Sequence, residues 1–459
     1  MKNPLLVPEL RDYLESDNHE ALGLFLDSGH PRVIAEFLSA LTPAEAWQVL
    51  GTGPLSLAAE IFSEMDEWFQ ADVAEILSRR ELAQLVTEMS PDDRVDLLAR
   101  IPENRRLRIL SALAVAERED IRKLSSYHEG SAGSVMTSDY ATLSPDLTAA
   151  EAIDKLRREA PDKETIYYAY VVDEGRRLIG FASLKDLILA PAHELVEEIM
   201  NEGVISVRVT DDQEFAARQI QKYGLIALPV INGGDALVGI ITHDDAIDII
   251  TREHTEDLEK FMDIQGSHDA ASYLRTPALT HFKNRVLWVV GLAAAGLVSG
   301  GILHHFEATL SHLLILALYM PMLADTGGNT GSQSATVVIR ALALNEISAK
   351  DMLQVLGKEL KIALMLAAVL ACVAWIKVQL LSGGSPIPGG FTLPQVGGAI
   401  VLALAIQVIT STLVGALLPM GAARLRLDPA VVASPALTTV VDITGLFIYF
   451  TCARLILGV

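Results

Sequence analysis

The chain has 459 residues, of which 51% are hydrophobic and 20% charged, and it carries 58 acidic against 36 basic side chains. From residue 276 onward there are ten Lys/Arg and seven Asp/Glu, so the first 275 residues hold 26 basic and 51 acidic groups. This balance excludes a simply soluble protein. It also argues against nucleic acid or an anionic lipid surface as a partner of the front part, since both call for basic patches. The two cysteines, Cys372 and Cys452, lie in apolar runs, which excludes a disulfide scaffold and a zinc cluster.

The N-terminus meets Pro and acids within ten residues and has no apolar core of signal-peptide length. The front is therefore expected to start and stay in the cytoplasm. Residues 1–130 read as helical throughout, with 3.6-period apolar spacing in AAEIFSEM, ELAQLVTEM and RVDLLARI. Thr42-Pro43-Ala44-Glu45 and Ser90-Pro91-Asp92-Asp93 mark helix starts, each with a cap, Pro in the first turn and an acid at the third position. The pattern predicts a small superhelix of short helices. It shows no catalytic constellation, and an enzyme is not expected.

Residues 131–250 form a second domain that contains an internal repeat. Gly180 and Gly239 are 59 positions apart, as are Ser183 and Thr242, and Asp186 and Asp245. Each copy reads as short apolar strands with Gly turns around a helical stretch, predicting two paired α/β units. Strand, Gly, strand and then Ser/Thr-x-x-Asp at a helix start could hold ribose hydroxyls and phosphate. The same residues are good N-caps, so capping explains the pattern equally well.

From Thr242 to about residue 263 the pattern is one continuous helix leading toward the membrane part. At 100° per residue, Asp245, Asp248, Glu256, Glu259 and Asp263 share a stripe of roughly 80°, interrupted by Arg252 and flanked by Glu253 and Asp257. Such acids repel unless solvated or neutralised. The stripe is a solvated face or a cation sensor, and its position between an acidic module and a membrane domain favours the sensor.

Residues 276–459 supply five candidate spans of bilayer length: 286–303, about 310–339, 362–381, 397–420 and 431–452. Arg275, Lys283, Arg285, Arg340, Lys350, Lys358, Lys361, Arg424 and Arg426 fall on one side, whereas HHFEATLSH and SGGSPIPGGFTLPQ have no Lys or Arg. Lys377 and Arg454, close to the outer ends, are the exceptions, and long side chains there can snorkel to the headgroups. The bias places the N-terminus inside and the C-terminus outside. Two spans carry acids near their middle, Asp325 and Asp442, where an ionised carboxylate is costly unless it faces water, a cation or a proton. Asp325 opens DTGGNTGSQS, in which the glycines permit irregular backbone lining a wet path or a close helix-packing face. Asp442 has Thr438, Thr439 and Thr444 nearby and could alternatively cap a broken helix. Carboxylate, hydroxyl, amide and carbonyl donors favour hard cations. A single Asp442 is thin for a divalent ion, and a two-fold dimer would bring two together.

The segments PMLADTGGNTGSQSATVVIRAL and VASPALTTVVDITGLFIYF, with the acidic helix and the α/β repeat, resemble the MgtE family of magnesium channels over essentially the full length. The resemblance implies a multi-domain membrane protein: an all-α superhelical N domain (1–130), a tandem CBS pair (131–250), a connecting plug helix (251–275) and a five-helix transmembrane domain (276–459) that works as a homodimer. It implies that Asp442 is the pore carboxylate holding hydrated Mg²⁺, with Asp325, Gly327, Gly328, Asn329 and Thr438 lining the pore. It further implies that Glu253, Glu256 and Asp257 of the plug helix, Glu214, Asp244, Asp245 and Asp248 of the CBS pair, and Asp92 and Asp96 of the N domain share regulatory Mg²⁺. Members that bind ATP point to Tyr168, Lys185 and Asp186. Gly224 stands where some members carry an acid, and Lys185 where some carry an arginine. The implied activity is Mg²⁺ import across the cytoplasmic membrane, closed by cytoplasmic Mg²⁺. Two rival readings remain at this level: a proton-coupled transporter using Asp325 and Asp442 as a relay, and a membrane-anchored nucleotide sensor.

Overall fold

A computed structural model describes residues 5–261, 264, 276–344, 346–384, 387, 390–429 and 435–458. The front begins with α1 (Val7–Glu15), α2 (His19–Asp27), α3 (Pro31–Leu38), α4 (Pro43–Leu50), α5 (Leu55–Ser63), α6 (Glu67–Ile76), α7 (Arg79–Glu88), α8 (Pro91–Arg100), α9 (Glu103–Leu110) and α10 (Val115–Leu124). Each of α3 to α8 packs on the helix two further along, which is the superhelix expected from the short amphipathic repeats. Leu22, Leu38, Leu50, Phe62, Leu85 and Leu97 build its continuous core. Thr42 caps α4 with a full capping box: its N–H donates to Glu45 Oε2 (2.8 Å) and its Oγ1 accepts from the Glu45 N–H (3.3 Å). Ser90 differs from the expectation: it sits at the N-cap of α8, but its side chain accepts no capping bond from the helix backbone and bonds the Asp92 and Asp93 side chains instead.

The repeat folds as two copies of one sheet. In the first, β1 (Tyr140–Leu143) pairs parallel with β2 (Thr165–Val172), and β2 antiparallel with β3 (Leu178–Ser183). In the second, β4 (Val207–Arg208), β5 (Ala227–Ile231) and β6 (Leu237–Thr242) repeat that order and sense. The linking helices are α11 (Ala149–Glu159), α12 (Leu184–Leu189), α13 (Val196–Ile199) and α14 (Gln213–Tyr223). The equivalent placing of Gly180 and Gly239 in the two copies has a packing cause. A Cβ on Gly180 would lie 2.7 Å from Met200 Sδ, and one on Gly239 2.5 Å from Met136 Sδ. Each copy's glycine thus receives the methionine that opens the other copy. Gly224 closes α14 at φ +64°, a left-handed C-cap that suits glycine. Leu124 of α10 is buried with Val207, Ala216, Leu228 and Ile241, and Val95 of α8 packs beside them. The helical array and the paired sheets therefore make one compact unit, Met1–Glu253.

The second unit, His254–Val459, takes the end of α15 (His243–Phe261) and then α16 (Ala278–His305), α17 (Glu307–His312), α18 (Ile315–Ala343), α19 (Met352–Ser382), α20 (Leu393–Arg424) and α21 (Pro435–Leu457). Among the described residues four helices, α16, α19, α20 and α21, are long and apolar enough to cross a membrane. α18 is not among them: it has 29 residues, enough for a bilayer at ~1.5 Å per residue, but a polar run occupies its centre. α20 is the hub, packed by α18, α19 and α21, whereas α16 buries none of its residues.

Two expectations are corrected. The segment 310–339 is split: α17 ends at His312 and α18 starts at Ile315. The glycine-rich run is not irregular backbone, since α18 passes unbroken through Pro321 and DTGGNTGSQS. Its carbonyls are spent within the helix, and the glycines serve close packing instead. Residues 262–263 and 265–275 of the plug segment, with Asp263 and Arg275, and residues 431–434 of the fifth span lie outside the described residues.

Candidate functional site

In the membrane unit the small residues of α18 set the register against α21. A Cβ on Gly327 would meet Val441 Cγ1 at 3.1 Å, and one on Gly331 would meet Val441 Cγ2 at 3.4 Å and Leu437 Cδ2 at 3.7 Å. Contacts advance on one helix as they recede on the other, so the two run antiparallel, and Asp325 stands at the level of Asp442. Gly328 faces Thr438, with a Cβ there 3.8 Å from Thr438 Cγ2. Asn329 Nδ2 donates to Asp325 Oδ1 at 3.1 Å, one turn along the same helix. Asp325, Asn329 and Thr438 are exposed and Asp442 is half-buried. Thr444 Oγ1 bonds back to the Val440 carbonyl at 2.8 Å, keeping that hydroxyl proton within its own helix. The five residues expected to line a pore thus occupy facing stretches of two helices.

Two polar residues of this unit were not singled out from the sequence. Gln407 of α20 is fully buried and donates from Nε2 to the Val441 carbonyl at 2.9 Å. Glu359 of α19, 6% exposed, accepts from Ser334 Oγ at 2.8 Å. Glu359 sits between Lys358 and Lys361, so in the sequence it reads as one more loop charge.

In the soluble unit the acids of α8 face those of α15. Asp92 is held well above the usual carboxylate range, first by burial and then by the negative charges of Asp93, Asp245 and Glu164. Its Oδ1 is buried with no hydrogen-bond partner. Burial also raises Asp93, with Ser63 and Ser90 opposing and Glu64 and Asp244 adding to it. Asp96 is raised by burial against the pull of Arg100 and Arg252. Asp245 is pushed up to about 6 by burial, despite its 2.5 Å bond from Thr242 Oγ1, with Asp244 and Asp93 reinforcing the shift. Glu164 is pushed up to about 7 by loss of water and by Asp245, Asp244, Asp93 and Asp139, although part of its side chain stays open to solvent. Asp93 of α8 and the loop acids Asp139 and Glu164 complete the cluster, and their part in it escapes sequence reading because only the fold brings them beside α15.

The remaining expected acids fall elsewhere. Glu214 pairs with Arg218 one turn on in α14, and Glu253 accepts from Gln213 Nε2 at 2.6 Å. Asp248 lies toward Arg32. Lys260 Nζ lies 2.6 Å from Glu256 and 3.6 Å from Asp428, so an ammonium ties the end of α15 to the α20–α21 connection. Asp257 adds its charge around the same Lys260. In the first sheet, Tyr168 stands opposite Ser183 and stacks edge-on against Phe181, 5.4 Å between ring centres. Ser183 caps α12 in a box with Asp186, and Lys185 is exposed beside them.

Among the described residues no three acids or histidines converge as direct metal ligands. Mg²⁺ keeps several waters and takes one or two carboxylates. The orphaned Asp92 Oδ1 and the mutually repelling carboxylates are the donors such a hydrated cation would satisfy.

Known families match the chain along its length. Residues 320–452 match a family of divalent cation transporters, 29–130 the MgtE intracellular N domain, and 132–193 and 196–252 CBS domains. The class is that of membrane transporters of divalent cations that carry an intracellular N domain and a pair of CBS domains. The chain is 37% identical over 457 residues to the magnesium transporter MgtE of Thermus thermophilus, covering 98% of each. It is 32% identical over 419 residues to that of Bacillus subtilis, covering 91% of this chain and 87% of the relative. It belongs to the MgtE family of magnesium transporters. Its soluble unit is similar to the crystallised soluble part of a magnesium transporter (31% identity, TM-score 0.52, 54% of this chain and 97% of that one). It is also similar to the cytosolic domain of the Mg²⁺ channel MgtE solved in complex with ATP (36% identity, TM-score 0.50, 52% and 98%).

Proposed function

We propose that the protein is a homodimeric, Mg²⁺-gated channel that imports Mg²⁺ across the cytoplasmic membrane and is not an enzyme. α18 acts as a fifth span beside the four apolar ones, with the N-terminus in the cytoplasm and the C-terminus outside. The observation that carries the reading is the level placement of Asp325 and Asp442 on antiparallel helices, with Asn329 and Thr438 on exposed surface around them. A second copy packed on that face brings two Asp442 carboxylates to one axis, enough charge for a hydrated divalent ion. Gating rests on the acid face. When cytoplasmic Mg²⁺ is high, ions bind among Asp92, Asp93, Asp96, Glu164, Asp244 and Asp245 and, apart from them, at the plug-helix acids Glu253, Glu256 and Asp257, and the pore is shut. When Mg²⁺ falls, carboxylate repulsion loosens the module. ATP occupies the CBS pair at Tyr168, Lys185 and Asp186: the aromatic pair stacks the base, the carboxylate takes ribose hydroxyls and the ammonium takes phosphate.

Single-channel recording from protein reconstituted in liposome patches tests this, with cytoplasmic-side Mg²⁺ stepped from micromolar to about 10 mM, the range of weak carboxylate sites. Unitary Mg²⁺ currents that fall silent at high internal Mg²⁺ are the expected result. Saturable flux without unitary steps would replace the channel with a coupled transporter, and steps indifferent to Mg²⁺ would remove the gating role of the acid face.

A further inference from the structure

A fully buried amide inside a membrane helix is costly unless its hydrogen bonds are made. Gln407 makes only part of them: Nε2 donates to the Val441 carbonyl at 2.9 Å, while Oε1 is buried without a partner. For packing alone a methionine of similar volume would serve better, since it leaves no polar atom unmatched. The amide also has space cleared for it on both neighbouring helices. A Cβ on Gly327 of α18 or on Gly445 of α21 would lie 2.5 Å from its Nε2. The carbonyl it holds belongs to the residue directly before Asp442 and also receives Thr444 Oγ1 at 3.1 Å. One turn along α20, Ser411 Oγ and Thr330 Oγ1 of α18 are 2.7 Å apart. α20, the most buried helix of the unit, therefore grips α18 and α21 through polar contacts at the level of their carboxylates.

We propose that Gln407 is the positioning residue of the ion path: its amide fixes the spacing of α18 and α21, and with it the separation of the Asp325 segment from Asp442, which sets the preference for Mg²⁺ over larger divalent ions. The proposal rests on the reading of Asp442 as the pore carboxylate. Mg²⁺ is small and rigid in its coordination and Ca²⁺ larger and tolerant, so the dimensions of a carboxylate site discriminate between them. A looser helix pair admits Ca²⁺.

The test uses the full chain reconstituted in liposomes, with assembly measured by size exclusion and Mg²⁺ and Ca²⁺ flux expressed per assembled protein. Gln407→Met keeps volume and removes the bond; it is expected to assemble and conduct, with the Mg²⁺-over-Ca²⁺ preference reduced about fivefold, the scale of one lost coupling. Gln407→Glu keeps the shape. Its protonated form donates O–H to the Val441 carbonyl and its ionised form cannot, so its preference is expected to match the wild type at acidic pH and decline as pH rises. An unchanged preference in Gln407→Met, or equal and pH-independent behaviour of the two variants, overturns the proposal. Should Gln407→Met fail to assemble, the pH profile of Gln407→Glu alone decides. Asp442→Asn run in parallel separates the two ideas: flux surviving that substitution removes the pore reading itself, whatever Gln407 does.

Discussion

The two units handle their carboxylates in opposite ways. In the soluble unit Asp92, Asp93, Asp96, Glu164, Asp244 and Asp245 are crowded together, and most of them gain affinity for a proton from burial and from one another. Inside the long helices of the membrane unit acids are few, and two of them accept from neutral donors: Asp325 from Asn329, Glu359 from Ser334. Water and mobile cations can settle repulsion in the first setting, whereas in hydrocarbon an unneutralised charge costs several kcal/mol. On the function proposed above, the soluble cluster responds to cation concentration while the membrane acids hold still.

The difference can be broken at either end. Asp442→Asn is expected to have the largest effect, a loss of Mg²⁺ flux of roughly 100-fold or more with assembly intact, since it removes the carboxylate proposed to hold the ion and leaves at that level only Asp325, which is bonded to Asn329; liposome uptake beside size exclusion measures both. Asp92→Asn with Asp245→Asn should leave conduction untouched but raise the internal Mg²⁺ needed for closure about tenfold, a typical coupling between sites. Dose–response recording checks it, and an unmoved midpoint would return the cluster to a solvated face.

Protonation sharpens the contrast further. Asp245 at about 6 and Glu164 at about 7 lie above ordinary carboxylates near 4, so the folded arrangement favours their protonated forms. Their contribution to stability is full below pH ~4 and is lost as pH rises through 6 to 7. In the absence of divalent ions, raising the pH from 5 to 8 should lower the unfolding temperature of the soluble unit by on the order of a few degrees. Mg²⁺ should restore it at pH 8 and do little at pH 5, where protons compete for the same oxygens. A flat melting profile across that window would show the acids to be independent. The smallest effect is local: Thr42→Ala removes the α4 capping box and should cost about 1 kcal/mol, read as a lower melting temperature with unaltered Mg²⁺ closure.

Much of this arrangement was readable in the residues. The repeat of Gly180 and Gly239, the short helices with Thr42 as a cap, and the continuous acidic helix after Thr242 are local patterns, and local patterns survive folding. What escaped depends on which face of a helix meets protein. α20 is apolar nearly all round, so periodicity could not say that Gln407 turns inward to Val441 rather than toward a cavity. The DTGGNTGSQS run allowed both irregular backbone and close packing, and composition alone could not choose between them. Gly331 carbonyl against Gly415 is the contact that chooses. Asp93 and Glu164 are separated by 71 positions, and their encounter is a property of tertiary structure.

The exchanged methionines of the sheet pair carry a consequence for how this chain reaches its fold. Met136 fills the space over Gly239 and Met200 that over Gly180, so neither half completes its own interior from its own residues. The boundary near residue 195 that divides the two CBS matches is therefore no boundary for folding. A ribosome that has released only the first half has produced a sheet left open over Gly180 until Met200 emerges, and a Met136 with no seat until Gly239 follows.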